Sequence, residues 1–288
     1  MIKNILWATD FSRESRSCLP YVKFLSRRLN TQNYVLYVLP ECSDWVIEAA
    51  SFSSEDLHRQ VEETKKKSRE KIGQYGQTMA LDLQAVLLEG IASEEIVRYA
   101  REKNMDLIVA GRRGLSGIGQ LLIGSTTSRL IRKTETPILV IPRSRRKIEI
   151  KRILAPVDFN ELALVELKYA IFLASQLQVE LHVIHVSEFF NYRVPVLKRD
   201  QLIKKINEMI SRIAEEYDYK IDNIVYELGE PAQKIIEWSK KNKIDLMVMT
   251  TNQRRGLEKF FLGSITEKVL LYSDIPLIVL PPSYAASK

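Results

Sequence analysis

Asp106-Leu107-Ile108-Val109-Ala110-Gly111-Arg112-Arg113-Gly114, continued to Ile123-Gly124-Ser125-Thr126, decides how the chain is read. The apolar run that ends at Ala110 has the pattern of a strand buried on both faces. Thr126 to Lys133 then reads as a helix, with glycines in between. Strand, glycine-bearing loop and helix start together outline a phosphate site. Glycine lets the backbone approach an anion with no Cβ in the way and permits φ > 0. Free N–H groups and the dipole at a helix start attract negative charge. Ser125 is read either as a hydroxyl donor to a ligand or as the cap of the helix. The spacing is Gly111, two residues, Gly114, nine residues, Gly124, Ser125.

The segments before this stretch alternate strand and helix. Ile2 to Ala8 reads as a strand ending in Thr9-Asp10-Phe11-Ser12, and Glu14 to Leu29 as one helix with apolar residues at helical spacing. Asn33 to Leu39 is a second buried-type strand. Asp44 to Tyr75 is long, polar and helical, and Leu83 to Leu88 alternates as a third strand. Gly90 reads as a turn, Ser93 as a helix N-cap, and Ile138 to Ile141 as a last strand between prolines.

Residues 152 onward say the same again. Asp158 answers Asp10, and Leu181 to Val186 answers Val35 to Val38. Four further pairs, Gly90 and Gly229, Asp106 and Asp245, Gly124 and Gly263, Pro137 and Pro276, are all 139 residues apart. A strand and amphipathic helix that alternate in this way predict parallel sheets with helices on both faces. Two domains are expected, 1–143 and 151–288, joined by a linker at 144–150. Ligands of open α/β sheets bind beyond the carboxyl ends of the strands, where Asp10, Val38 and Gly111 all fall.

At 288 residues the chain has room for two cores of ordinary size, and 45% hydrophobic with 27% charged residues excludes disorder. No apolar run nears the ~20 residues that span a bilayer. Met1 to Trp7 enters a strand pattern directly, so the expectation is a cytoplasmic protein with no membrane contact. Cys18 and Cys42 lack metal or redox spacing and read as structural thiols. The net charge of +7 is spread along helices between acidic residues, not gathered in a stripe, so no nucleic-acid partner is expected. The richest basic cluster, Arg143 to Lys147, falls in the linker.

The glycine spacing and the twofold repeat resemble the universal stress protein family, in its ATP-binding branch, and the likeness covers nearly the whole chain twice. The resemblance implies an α/β chain of two tandem Rossmann-like domains, each a five-stranded, mainly parallel sheet. It implies ATP as the ligand, with Mg²⁺ as its companion ion. Asp10 and Val38 would face adenine, Ala110 and Gly111 would lie by the ribose, and Gly114, Gly124, Ser125 and Thr126 would cradle the phosphates. Arg112 and Arg113 read as surface residues sooner than as phosphate clamps. In the family the last strands pair antiparallel between subunits, so Ile138 to Ile141 and Leu277 to Leu280 would here pair within one chain as an internal pseudo-dimer.

The second copy departs from the pattern, with Thr250 and Gln253 where the first has Gly111 and Gly114. An empty or weak second site is the expectation, with Asp158 a helix cap; Asp10 has the same alternative reading. Trp45 to Phe52 is either a homodimer contact, a lid or a surface helix. No P-loop, nucleophile elbow or metal-binding histidine pair is present. A nucleotide-dependent stress or regulatory module leads, a non-nucleotide interaction scaffold is the alternative, and a slow ATPase is third.

Overall fold

Residues 1–40, 54–78, 83–113, 122–142, 148–158, 161–187, 196–251, 264–281 and 284 are described by the computed structural model. In the first half β1 (Asn4–Ala8), β2 (Gln32–Leu39), β3 (Leu83–Glu89), β4 (Leu107–Gly111) and β5 (Ile138–Ile141) alternate with helices. These are α1 (Arg13–Arg16), α2 (Leu19–Leu29), α3 (Ser54–Thr78), α4 (Ala92–Glu102) and α5 (Ser125–Lys133). The second half runs β6 (Arg152–Pro156), α6 (Glu161–Leu177), β7 (Glu180–Ser187), α7 (Val196–Glu216), β8 (Asn223–Leu228), α8 (Pro231–Lys241), β9 (Leu246–Thr250), α9 (Ser264–Tyr272) and β10 (Leu277–Leu280).

All ten strands form one sheet, ordered β3-β2-β1-β4-β5-β10-β9-β6-β7-β8. Within each half the pairing is parallel. The halves meet where β5 and β10 pair antiparallel, Ile138 against Val279 and Val140 against Leu277. That is the internal pairing expected of the proline-bounded last strands. Joining them buries two edges that would otherwise offer unpaired N–H and C=O groups. β4 and β5 are buried at every position, as strands covered on both faces must be.

Helices cover both faces, and each face has a core that runs through the two halves. One holds Trp7, Val22 and Leu25 with Ile72, Leu167, Ile171 and Ile210, and so packs α2, α3, α6 and α7. The other holds Leu6, Ile96 and Leu130 with Ile235, Val269 and Leu270, which packs α4, α5, α8 and α9. Among the described residues no helix is long and apolar enough to cross a membrane.

The repeat extends to single hydrogen bonds. Asp106 Oδ2 accepts from the Lys3 and Asn4 amides at 2.8 and 2.9 Å, and Asp245 Oδ2 from those of Lys151 and Arg152 at 2.9 and 3.1 Å. Gly90 and Gly229 turn the chain at φ of 138° and 139°, a region closed to side chains.

Two local expectations are corrected. Glu14 to Leu29 is not one helix: Pro20, at the start of α2, lacks the N–H to continue α1, and the chain breaks at Ser17-Cys18. The second half has no proline there, and α6 is continuous. Ser93 is not a cap, because α4 begins at Ala92 with Ile91 in the N-cap position, which leaves Ser93 buried in the first turn. Cys18 is buried and free, and burial pushes its thiol far up, as a structural cysteine requires. The Trp45 to Phe52 segment, Cys42 and the 143–147 part of the basic linker lie outside the described residues.

Candidate functional site

The first half runs β1, β2, β3 to one side and then β4, β5 to the other, so its order reverses between β1 and β4. A cleft of about 210 Å³ opens there, at the carboxyl ends of the strands. Its walls bring together Asp10, Val38, Ala110, Gly111, Gly124, Ser125 and Thr126. Gly114 lies outside the described residues. Tyr37, Arg113 and Thr127, which sequence reasoning left out of the site, line the same cleft.

Each wall has a local cause. The β1–β2 ladder ends with the Thr9 amide donating to Leu36 O at 3.0 Å, so Tyr37 and Val38 overhang the end of β1. After β1 the chain turns sharply at Phe11, whose φ of 60° is strained for an aromatic residue. The Thr9 hydroxyl accepts from the Phe11 amide at 3.0 Å, and Asp10 Oδ1 from the Ser12 amide at 2.9 Å. Phe11 is held against Tyr37 at 4.7 Å between ring centroids, with the Lys71 ammonium 4.5 Å over its face. Asp10 therefore braces a turn and is not a helix cap; the cap of α1 is Ser12, whose Oγ accepts from the Ser15 amide at 3.0 Å.

Across the cleft stands the start of α5. Gly124 is its N-cap, at φ −57° and ψ 144°, and no side chain caps it. Ser125 lies in the first turn, so the reading of Ser125 as the cap is corrected. Thr127 is turned inward, its hydroxyl donating to Gly111 O at 2.7 Å. The first N–H groups of a helix lack intrahelical acceptors. An uncapped start facing a cleft, flanked by Ser125 and Thr126, is built to receive an anion.

Gly111 has a second reason to be glycine. A Cβ there would stand 3.0 Å from Arg113 O and 3.2 Å from Glu14 O, both backbone atoms. The close approach of β4 to α1 leaves a side chain little room even before a ligand is considered.

Of the two arginines, Arg112 differs from expectation and Arg113 does not. Arg112 is buried, and its Nη1 donates to Leu270 O, Leu271 O and Ser273 O at 2.9, 3.2 and 2.9 Å, at the far end of α9 in the second half. It is neither a surface residue nor a phosphate clamp. Arg113 Nε donates to Leu122 O at 3.1 Å, which brings Leu122 back to the end of β4.

The corresponding strand end of the second half carries a side chain in place of the glycine. Thr250 stands where Gly111 does, and Glu166, buried on α6, accepts from the Thr250 amide at 2.8 Å and its hydroxyl at 2.9 Å. Burial pushes the Glu166 carboxyl up to about 8; the two Thr250 bonds pull the other way and Asp158 adds to the rise. Thr266 repeats the Thr127 bond, its hydroxyl donating to Thr250 O at 2.8 Å. His185 is buried too, with Nδ1 2.9 Å from Val157 O and Nε2 3.0 Å from Ser187 Oγ, and burial lowers its pKa. Gln253 and Gly263 lie outside the described residues. Among the described residues no group of three or more histidine, cysteine, aspartate or glutamate side chains is placed to hold a metal ion.

A larger cavity of about 370 Å³ lies at the opposite end of the strands, lined by Asp106, Lys133, Pro137 and Tyr169. It is walled by the C-terminal ends of α4 and α5, the negative ends of their dipoles, which makes it the poorer home for a phosphate.

The universal stress protein family model matches residues 1–142 and again 149–281. The universal stress protein MJ0531 of Methanocaldococcus jannaschii is 31% identical over 139 residues, 45% of this chain and 81% of that one. Slr1230 of Synechocystis, another universal stress protein, is 23% identical over 96% of this chain and 99% of its own length. Among solved structures, a universal stress protein from Archaeoglobus fulgidus superposes with a TM-score of 0.74 over 98% of this chain and 99% of that one, at 22% identity.

Proposed function

The chain belongs to the universal stress protein family, and we propose that its first domain binds an adenine nucleotide, ATP with Mg²⁺, as a nucleotide-dependent stress-response or regulatory module. The observation that carries this reading is the uncapped start of α5 at the strand switch, opposite Asp10 and Val38 in one cleft. In this reading the amides of the first turn, with the Ser125 and Thr126 hydroxyls, hold the phosphates, and Gly114 contributes from the loop. The dipole of α5 favours the negative charge they bring. Ala110 and Gly111 form the floor beneath the ribose. The base lies over the overhang of β2 at Val38, with Asp10 beside it as an acceptor for its amino hydrogens. Tyr37 supplies an aromatic flank. Mg²⁺ neutralises phosphate charge when bound.

Gly124 is the sharpest test residue. Its backbone angles are open to any amino acid, so conformation alone does not call for glycine, whereas a phosphate against the helix start does. Calorimetric titration of the full chain with MgATP is expected to give saturable binding that Gly124→Val abolishes while the thermal midpoint stays within a few degrees. Absence of binding to the unaltered chain would overturn the proposal. Parallel titrations with AMP and adenosine establish how much of the affinity comes from the phosphates.

A second reading, an interaction scaffold that needs no nucleotide, draws support from Gly111, whose lack of a side chain is already explained by α1. It differs in its outcome: Gly124→Val would then leave function in cells unchanged. The slow ATPase reading has less to stand on. Asp10, the carboxylate that lines the described cleft, has Oδ1 engaged by the Ser12 amide, and a general base must reach the attacking water.

A further inference from the structure

We propose that Arg112 couples the first cleft to the second domain, so that a nucleotide held at the start of α5 tightens the last turn of α9. The inference rests on the nucleotide reading above and names the regulation of that same site. Arg112 follows Gly111 and precedes Arg113, both of which line the cleft. Its amide donates to Ile141 O at 2.8 Å, on the strand that joins the halves, and its carbonyl accepts from the Gly124 amide at 2.8 Å, at the cap of α5. Its side chain crosses to three carbonyls at the C-terminal end of α9. One residue thus touches the helix start that would meet the phosphates, the interdomain strand and a helix of the other domain.

The chemistry makes this a firm link. The last carbonyls of a helix have no intrahelical donor and carry the negative end of its dipole. A guanidinium that is 7% exposed satisfies them with charge-assisted bonds. Releasing them would take three charge-assisted bonds from a buried cation. The other end of α9 is Ser264, which answers Ser125, so the helix that Arg112 caps begins at the second domain's copy of the ligand site.

Among the described residues the contact is built from one side. At the equivalent place in the second half, the Thr251 amide donates to Leu280 O at 3.2 Å, which repeats the backbone junction. Thr251 is 1% exposed, its hydroxyl is buried without a hydrogen-bond partner, and it carries no cation to reach back across the interface. Among the described residues the connection is therefore made from the first half alone, through Arg112, and the coupling it carries is reciprocal, so that whatever tightens the end of α9 also favours the nucleotide.

Hydrogen exchange of the full chain, with and without saturating MgATP, tests this. In the unaltered protein MgATP is expected to slow exchange in the first turn of α5 and also in residues 268–275, the latter by roughly tenfold, within the usual range of allosteric coupling. Arg112→Gln keeps a donor without the charge and is expected to keep the α5 response while losing that at α9. Arg112→Lys, which keeps the charge without the forked geometry, retains part of it and guards against a folding defect in the glutamine variant. Failure of the unaltered chain to bind MgATP overturns the nucleotide reading and the coupling with it. Binding that protects α5 and leaves α9 unchanged overturns the coupling alone. A full α9 response in Arg112→Gln overturns the assignment to Arg112.

Discussion

Replacing Glu166 by glutamine should change how stability depends on pH, and should do so with a reversal of sign. Glu166 is 4% exposed, its Oε2 takes both bonds from Thr250, and its Oε1 is buried with no hydrogen-bond partner, the natural seat of an acid proton. Burial raises its pKa from 4.5 to about 8. In the unfolded chain the group ionises near its ordinary value, so between roughly pH 4.5 and 8 the folded protein holds a proton that the unfolded chain has lost. Its contribution is complete below pH 4.5, declines through that window, and is gone once pH passes about 8. At about 1.4 kcal/mol per pH unit the loss has a ceiling near 5 kcal/mol, which relaxation around the buried charge reduces to about 3–5 kcal/mol.

Glutamine cannot ionise. Its amide oxygen can still accept both Thr250 bonds, but its NH₂ brings two donors to the place where the protonated carboxyl holds one, with no acceptor for either, an added cost of about 1–3 kcal/mol. Glu166→Gln should therefore be less stable than the parent at pH 5 and more stable at pH 9, the two curves crossing between. Urea unfolding at a series of pH values, followed by tryptophan fluorescence, measures both. Other groups that titrate in this range are common to the two proteins and cancel in the difference. Parallel curves from pH 5 to 9 would refute the reasoning, because the buried carboxyl would then not be holding a proton.

Three further outcomes follow from particular contacts. Gly111→Ala brings a Cβ to 3.0 and 3.2 Å from two backbone oxygens, which must shift by a few tenths of an ångström, and should cost about 1–3 kcal/mol of stability by thermal unfolding, with or without nucleotide; a cost confined to nucleotide binding would contradict the packing account. Ser12→Ala removes the α1 cap and should cost about 1 kcal/mol in urea unfolding, the Ser15 amide losing its acceptor. Burial holds the His185 pKa below 6.5, so its contribution is present above pH 6.5 and lost as pH falls through the folded value. His185→Gln should flatten that acid limb, and an unchanged limb would show that another group causes it.

Most of the architecture was legible because each unit announces itself locally. The buried runs at Leu107 to Ala110 and Leu246 to Met249, the turn glycines and the constant spacing between halves all lie within short windows, and the proline-bounded Ile138 and Leu277 strands carried the antiparallel join. The cleft was legible for the same reason: Asp10, Val38, Gly111 and Gly124 each sit at or just past a strand end, or at a helix start. Pairings across long separations were not. Arg112 meets carbonyls some 158 to 161 residues away, and no local pattern distinguishes it from its neighbour Arg113. Glu166 was missed although a signal existed, an acidic residue on the apolar face of α6 between Val165 and Leu167. Pro20 likewise marked the break between α1 and α2. Gly111 shows the converse: its type was read for a ligand, while the tight approach of Glu14 O, nearly a hundred residues away in sequence, already favours it.

The most direct test of the central claim, an anion cleft in the first domain beside a second domain with Thr250 in place of the glycine, is the stoichiometry of MgATP binding to the full chain by equilibrium titration, repeated with Gly124→Val. The account predicts one nucleotide per chain and none in the variant. Two per chain would contradict the reading of Thr250 as an obstacle in the second domain, and none in the unaltered protein would contradict the cleft itself.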